Sequence, residues 1–164
     1  MSQVSPRSSR REPVTKQRLR LWLKLLKTTR HVEASVRENL RIEFATTLPR
    51  FDVLAALYRN SKGLRMTELS EALRVSNGNV TGIVDRLVAV GSVIRVAYPG
   101  DRRAQLVRLT KKGKDEFEIL AEEHEGWVNS IFSRLTATDC GQMMELLAVV
   151  ERASDKNNTE LKAK

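Results

Sequence analysis

The sequence predicts a mainly α-helical protein with one small β-hairpin. Residues 15–44 contain no Gly or Pro, and their apolar residues recur near helical spacing, which favours one long helix. Further along, two runs of β-forming residues, 93–98 and 105–109, flank a short polar segment and favour a hairpin. A chain of 164 residues with 41% hydrophobic content can bury one ordinary core, or a small core with an oligomerisation arm.

Charge is distributed unevenly along the chain. Residues 1–30 carry +8, residues 31–60 carry 0, residues 61–114 carry +7 and residues 115–164 carry −6, which gives the net charge of +9. Such polarity suits a protein that holds a polyanion on one side. A solvated surface with a basic tail is the alternative, and composition alone does not separate the two.

Composition argues against several classes of protein. No apolar run approaches the roughly 20 residues that cross a bilayer, and the N-terminus lacks the apolar stretch of a secretory signal. We therefore expect a cytoplasmic protein with no membrane partner. The single Cys140 cannot form an internal disulfide, and His31 and His124 give no metal-ligand spacing, so we expect no metal site and no cofactor.

The centre of the chain has the pattern of a helix-turn-helix. Before it, a Thr and an early Pro begin a helix that ends near Asn60 and has Phe51, Leu54, Ala55 and Tyr58 on one face. Residues 61–65 are predicted to form a loop. Thr67 and Ser76 are then placed to cap two short helices separated by a sharp turn, and Gly91 ends the second. Two such helices bury one common apolar cluster, here Leu69, Leu73, Val75, Val80, Ile83, Val84 and Leu87.

Two glycines mark one face of the second short helix. Each should cost a helix interior about 1 kcal/mol relative to alanine. A step of about 100° per residue places Gly78 and Gly82 opposite the apolar cluster, where the backbone could enter a DNA major groove. Asp85 on this face must accept from a cytosine amino group or be neutralised by a neighbouring Arg, and we favour the second. A weakly stable surface helix is the alternative.

The hairpin adds a basic tip. Arg102 and Arg103 are placed to enter the adjacent minor groove, and Asp101 could hold Arg103 extended through an ion pair. Taken alone, these residues are an ordinary polar turn. Phosphate contacts are expected from further basic residues around the helix-turn-helix and hairpin, namely Lys62, Arg65, Arg74, Arg95, Arg108, Lys111, Lys112 and Lys114.

Two helices close the chain. Thr110 caps one that runs through Arg134, and Thr136 or Thr138 caps the last, which turns Met143, Leu146, Leu147 and Val150 inward. The fold class is therefore a winged helix-turn-helix flanked by N- and C-terminal helices. Its predicted parts are a disordered tail (1–13), dimerisation helices (14–45 and 115–155), the winged DNA-binding domain (46–114) and a frayed tail (156–164).

The order of these motifs resembles the MarR (multiple antibiotic resistance regulator) family of transcription factors over roughly residues 15–155. The stretches that carry the resemblance are "LPRFDVLAAL", "MTELSEALRVSNGNVTGIVDRLVAVGSV" and "DRRAQLVRLTKKG". The resemblance implies a homodimer on a palindromic operator, with repression as the usual outcome. It implies DNA contacts from Ser76, Asn77, Asn79, Thr81, Arg86, Asp101, Arg102 and Arg103. Gly78 and Gly82, which face the groove, are expected to belong to the same DNA-binding surface. Arg74 departs from the family pattern because many such turns have a glycine there.

The resemblance also implies a small aromatic or anionic effector that weakens DNA binding. Trp22, His31, Arg50, Phe51 and Tyr58 lie in the region concerned, and an aromatic acid or its coenzyme A thioester would suit them. They are equally compatible with ordinary core and interface positions. Peroxide-sensing relatives carry their cysteine in the N-terminal helix, so Cys140 is not expected to sense oxidants.

Independent evidence for a dimer comes from the long flanking helices, whose apolar stripes are wider than a monomer needs. Two other classes of protein fit the sequence less well than a DNA-binding regulator does. A winged-helix adaptor that binds only proteins fits the basic hairpin poorly. An enzyme fits still less, because no nucleophile and base pair, metal cluster or phosphate-binding loop is visible.

Overall fold

The computed structural model describes the backbone of residues 12–98 and 101–162, and the side chains of residues 12–98 and 105–154. The tail predicted for residues 1–13 lies almost wholly outside the described residues. The fold is mostly helical with a small antiparallel sheet, as the sequence predicts. In chain order the elements are α1 (Val14–Phe44), α2 (Leu48–Arg59), β1 (Leu64–Arg65), α3 (Met66–Leu73), α4 (Asn77–Ala89), β2 (Val93–Tyr98), β3 (Asp101–Leu109), α5 (Lys111–Phe132) and α6 (Ala137–Lys162).

The core lies where α2, α3 and α4 pack on one another and on the sheet. Of the four residues that the sequence places on one face of α2, Phe51 and Leu54 are buried, Ala55 is half-buried and Tyr58 is exposed. The buried surface of α2 differs from this stripe because α2 contacts α1, α3, α4 and β3, so more than one side is covered. The buried side chains of α2 are Phe51, Val53, Leu54, Ala56 and Leu57.

The helix-turn-helix forms with three differences from the prediction. Ser76 lies at the N-cap of α4, but its side chain makes no capping hydrogen bond. Helix α3 begins at Met66, so Thr67 lies inside it, and the Arg65 N–H is bound instead by the Glu68 carboxylate at 2.7 Å. Val75 is 42% exposed and does not join the common cluster. Arg74 has φ 53° and ψ 40°, the left-handed conformation that a glycine would supply. This conformation costs a side-chain-bearing residue about 1–2 kcal/mol.

The sheet has three strands in the order β1, β3, β2, all antiparallel. The hairpin of β2 and β3 is confirmed, and a register irregularity lies between Ala97 and Tyr98. Strand β1 was predicted as loop. It has only two residues, too few for an alternating pattern to show, and it forms because Leu64 pairs with Val107.

The described chain divides into two compact units, one ending at Ala121 and the other beginning at Glu122. In the second unit, Thr136 caps α6, because its hydroxyl accepts from the Asp139 N–H while its own N–H donates to the Asp139 carboxylate. The Thr136 hydroxyl also donates to this carboxylate, and these hydrogen bonds hold the Asp139 pKa below its usual value. We predicted fraying from residue 156, whereas α6 continues to Lys162.

The apolar residues that we predicted to face inward from α6 are exposed in the single chain. They are Met143, Leu146, Leu147 and Val150. None of the helices, over the described residues, has the length and apolar character needed to span a membrane.

The first turn of α5 packs directly on the residues that follow α4. A Cβ added to Gly113 would lie 1.8 Å from the carbonyl oxygen of Ser92, so only glycine allows this approach. Gly126, further along α5, has nothing within 4 Å of the corresponding position.

We expect Gly113→Ala to destabilise the protein by about 2 kcal/mol or more, because the backbone of α5 must move away from Ser92. Gly126→Ala is the matched control and should stabilise α5 by up to about 1 kcal/mol. Urea denaturation followed by circular dichroism measures both. Equal unfolding midpoints for the two variants would contradict the packing described.

Candidate nucleic-acid interface

Helix α4 is buried on one side and bare on the other. Val80 and Val84 are fully buried, whereas nothing lies within 4 Å of the positions that a Cβ would occupy at Gly78 and Gly82. The opposed faces expected from the sequence are thus confirmed. The remaining predicted contact residues of this helix and its cap are also exposed: Ser76, Asn77, Asn79, Thr81 and Arg86.

One polar group on the bare face already has a partner in the helix. The Thr81 hydroxyl donates to the carbonyl oxygen of Asn77 at 2.8 Å, a bond that Thr often forms one turn back along a helix. Its proton is therefore engaged, and its oxygen lone pairs are what it presents to a partner.

The acidic residue on this face is neutralised from the sheet. Arg95 of β2 donates to the Asp85 carboxylate at 2.5 Å, and the Asp85 side chain is 55% exposed. This confirms the preferred of the two roles considered for Asp85. Arg95 had been expected to contact phosphate, but its guanidinium is bound to Asp85 here. Although an exposed pair contributes little stability, about 0–1 kcal/mol, it removes a negative charge from a face that would approach phosphates.

Several other basic residues expected at phosphates are engaged within the fold. The Lys112 ammonium donates to the Val90 carbonyl at 2.8 Å, and Lys114 lies 3.8 Å from Glu118. The guanidinium carbon of Arg65 lies 4.2 Å from the centre of the Tyr98 ring. Sequence reasoning missed this last contact because Arg65 lies in β1, which was predicted as loop.

The tip of the hairpin is only partly described. The backbone of β3 begins at Asp101, which pairs with Tyr98, so this strand starts four residues before the predicted start at residue 105. The side chains of Asp101, Arg102 and Arg103 lie outside the described residues. Their predicted roles in the minor groove therefore stay predictions.

The five residues expected to line an effector pocket do not all gather in one place. Trp22 and His31 are exposed on α1, and Phe51 is buried in the core. Arg50 lines a cavity of about 330 Å³, and Tyr58 lines another of about 490 Å³. The second cavity also has two ammonium groups in its lining, from Lys111 and Lys114.

Tyr58 takes part in a small aromatic and acidic cluster. Its ring centre lies 4.8 Å from that of Phe117, which in turn lies 5.5 Å from Phe51. The Tyr58 hydroxyl donates to Glu118 at 2.9 Å, and this hydrogen bond to a carboxylate raises the Tyr58 pKa above its usual value. The phenol is thus tied to α5, which fixes the end of α2 against that helix.

Comparison with known proteins gives consistent results. A family profile described as MarR family matches residues 46–104. The transcriptional activatory protein BadR of Rhodopseudomonas palustris is 32% identical over 105 residues, which cover 63% of this chain and 59% of BadR. The chain thus spans less than two thirds of that relative's length.

Solved structures extend the likeness to most of the chain. A MarR family transcriptional regulator from Silicibacter pomeroyi superimposes with a TM-score of 0.74 at 28% identity, covering 88% of this chain and 99% of that one. A MarR family regulator from Streptomyces coelicolor, solved in complex with DNA, shares the fold with a TM-score of 0.74 at 23% identity, over 90% and 92% of the two chains. Residues 46–104 thus match the MarR family model. With its bare α4, its hairpin and its flanking helices in the order described, the chain is similar to MarR family transcriptional regulators.

Proposed function

We propose that this protein binds DNA sequence-specifically as a homodimer on a palindromic operator and represses the adjacent gene until a small aromatic acid releases it. The observation that carries the proposal is the exposed face of α4, which has two glycines at its centre and its one acid paired with Arg95.

The dimensions of DNA favour such a helix. A helix with its side chains is about 10–12 Å wide, and the major groove is about 12 Å wide and 8.5 Å deep. Without side chains at Gly78 and Gly82, the α4 backbone could approach base edges more closely. Asn79 and Arg86 would then reach adenine or guanine edges and phosphates, the partners that amides and guanidinium groups prefer.

Exposed apolar residues on both flanking helices support a homodimer. On α1, Leu19, Leu21, Trp22 and Leu23 are each more than half exposed, and on α6 the same holds for Met144, Leu146, Val149 and Val150. Patches of this kind on a single chain typically mark an interface. A two-fold dimer would present two α4 helices, and its operator would repeat the half-site with the same symmetry.

The effector is proposed to occupy the Arg50 cavity. The guanidinium of Arg50 would bind a carboxylate, and apolar walls would receive a ring. At about 330 Å³, the cavity is at the small end of the range of about 300–1,000 Å³ for ligand sites, so it fits an aromatic acid better than a whole coenzyme A thioester. The apolar lining residues are Phe44, Leu54, Leu87, Val90, Ile119 and Leu120.

The DNA proposal is tested by incubating the purified chain with fragments of the source genome and sequencing those retained. We expect enrichment of fragments with a two-fold repeat, and binding that weakens steeply between about 50 and 200 mM salt because phosphate contacts release counterions. Deletion of the gene for this chain should raise transcription of the gene beside the enriched fragment. Retention without any shared repeat would contradict sequence-specific binding and favour the adaptor alternative, and reduced transcription would show activation instead.

The role of the bare face is tested by filling it. Gly82→Leu should leave the thermal stability unchanged or raise it, because space is open and leucine favours helix, yet weaken binding to the enriched fragment by roughly tenfold or more. Gly82→Ala is the graded control and should weaken binding much less. Fluorescence anisotropy measures the affinities. A Gly82→Leu variant that binds as the parent does would mean that α4 does not enter a groove.

The effector site is tested with benzoate and benzoyl coenzyme A as probes. Saturating benzoate should lower the affinity for the enriched fragment about 5- to 150-fold, the range of typical allosteric coupling. Arg50→Gln should abolish this response. Arg59→Gln removes the same charge from the other end of α2 and should retain it. Release by the thioester alone, or equal responses of the two variants, would contradict the proposed acid and its site.

A further inference from the structure

The end of α4 and the start of α5 are held together by several polar contacts, which we call the α4–α5 joint. The Thr110 hydroxyl donates to the Gly91 carbonyl at 2.7 Å, and the Thr110 N–H donates to the Ser92 carbonyl at 3.1 Å. The Lys112 ammonium donates to the Val90 carbonyl. Since the last carbonyls of a helix have no partner within it, residues of α5 supply part of what the end of α4 lacks.

Ser92 and Glu116 lie at the centre of this joint. Ser92 is only 3% exposed, and its hydroxyl donates to one oxygen of the Glu116 carboxylate at 2.6 Å. The other oxygen of Glu116 lies 3.5 Å from the Lys112 ammonium. Glu116 therefore links a buried hydroxyl of the α4 end to a lysine that itself holds the Val90 carbonyl.

The joint has little freedom to adjust. Gly113 lets the α5 backbone contact the Ser92 carbonyl so closely that even a methyl group would not fit. The polar contacts therefore connect two backbone segments that already touch. Together they hold the end of α4 at one angle to the start of α5. At its bare face, α4 has no side chain in the centre that could correct its direction once it enters a groove.

We propose that Ser92 and Glu116 are positioning residues that set the angle at which α4 is presented and thereby fix the half-site spacing that the dimer accepts. The inference rests on the proposed function. One extra base pair between half-sites rotates one of them by about 34° and moves it by about 3.4 Å. A rigid joint cannot follow such a change at both half-sites, whereas a loosened joint can.

The experiment compares binding of the full-length protein to the enriched fragment and to versions with one or two base pairs added or removed between the half-sites. Wild type should prefer its own spacing by roughly tenfold or more over the changed spacings, since contacts at one half-site are lost together. Glu116→Ala and Ser92→Ala should weaken binding to the native spacing and bring the affinities for all spacings within about threefold of one another.

Asp115→Ala provides the matched control. It removes a carboxylate from the same turn of α5 and changes the net charge by the same amount, but Asp115 is exposed and the joint does not include it. It should keep the spacing preference of wild type. Glu116→Gln keeps an acceptor for the Ser92 hydroxyl and should restore most of the preference that Glu116→Ala loses. Thermal melts of every variant establish that each is folded.

The dependence of affinity on half-site spacing distinguishes a positioning role of Ser92 and Glu116 from a general effect of these residues on the stability of the fold. If folded Glu116→Ala lost affinity equally at all spacings, or kept the wild-type preference, the inference would be wrong while the proposed function stood. Failure of wild type to bind any enriched fragment would overturn the proposed function and this inference with it. A loss of preference in Asp115→Ala equal to that in Glu116→Ala would also overturn it.

Discussion

The proposed DNA-binding unit depends on how α4 is held, because one side of this helix must belong to the core while the other must stay bare. Val80, Val84 and Leu87 supply the buried side, and burying each contributes about 1.5–3 kcal/mol. The two glycines opposite cost about 1 kcal/mol each. Burial outweighs this cost, so a helix with a poor intrinsic tendency to form is stable here through its packing on α2, α3 and β2.

A helix anchored from one side needs further contacts to define its direction. Asp85 and Arg95 join the middle of α4 to β2, and the α4–α5 joint holds its end. The pair of Asp85 and Arg95 also makes the bare face electrostatically suitable for phosphates, because it neutralises the acid on that face. The same ion pair thus has a geometric and an electrostatic consequence, although as an exposed pair it adds little to the free energy of unfolding.

The helices and the hairpin could be predicted from the sequence because their signals are local. Uninterrupted helical periodicity defines α1, and runs of β-forming residues define β2 and β3. The errors share a different cause, which is packing between distant segments. Strand β1 exists only through its pairing with Val107, and α2 is buried on more sides than one stripe suggests.

The candidate site shows the same division between local and distant information. The bare face follows from helical spacing alone, whereas the partner of Asp85 could not be named until β2 was placed beside α4. Nothing in the local sequence marks Gly113, because its contact with Ser92 appears only in three dimensions. Arg74 was noted as a departure from a turn glycine, and the backbone adopts the glycine-like conformation in spite of the side chain.

The Arg50 cavity and the joint share two residues, which connects the proposed effector with the proposed control of α4. Ser92 and Glu116 line the cavity that contains Arg50. A carboxylate bound to Arg50 would lie in the same cavity as the Glu116 carboxylate. Like charges in one cavity repel each other, and water around the 43% exposed Glu116 side chain reduces this repulsion. That repulsion acts on the Glu116 carboxylate, which accepts the hydrogen bond from the Ser92 hydroxyl. Occupancy of the cavity would therefore weaken the joint directly, so an effector needs no route through distant parts of the fold to change the direction of α4.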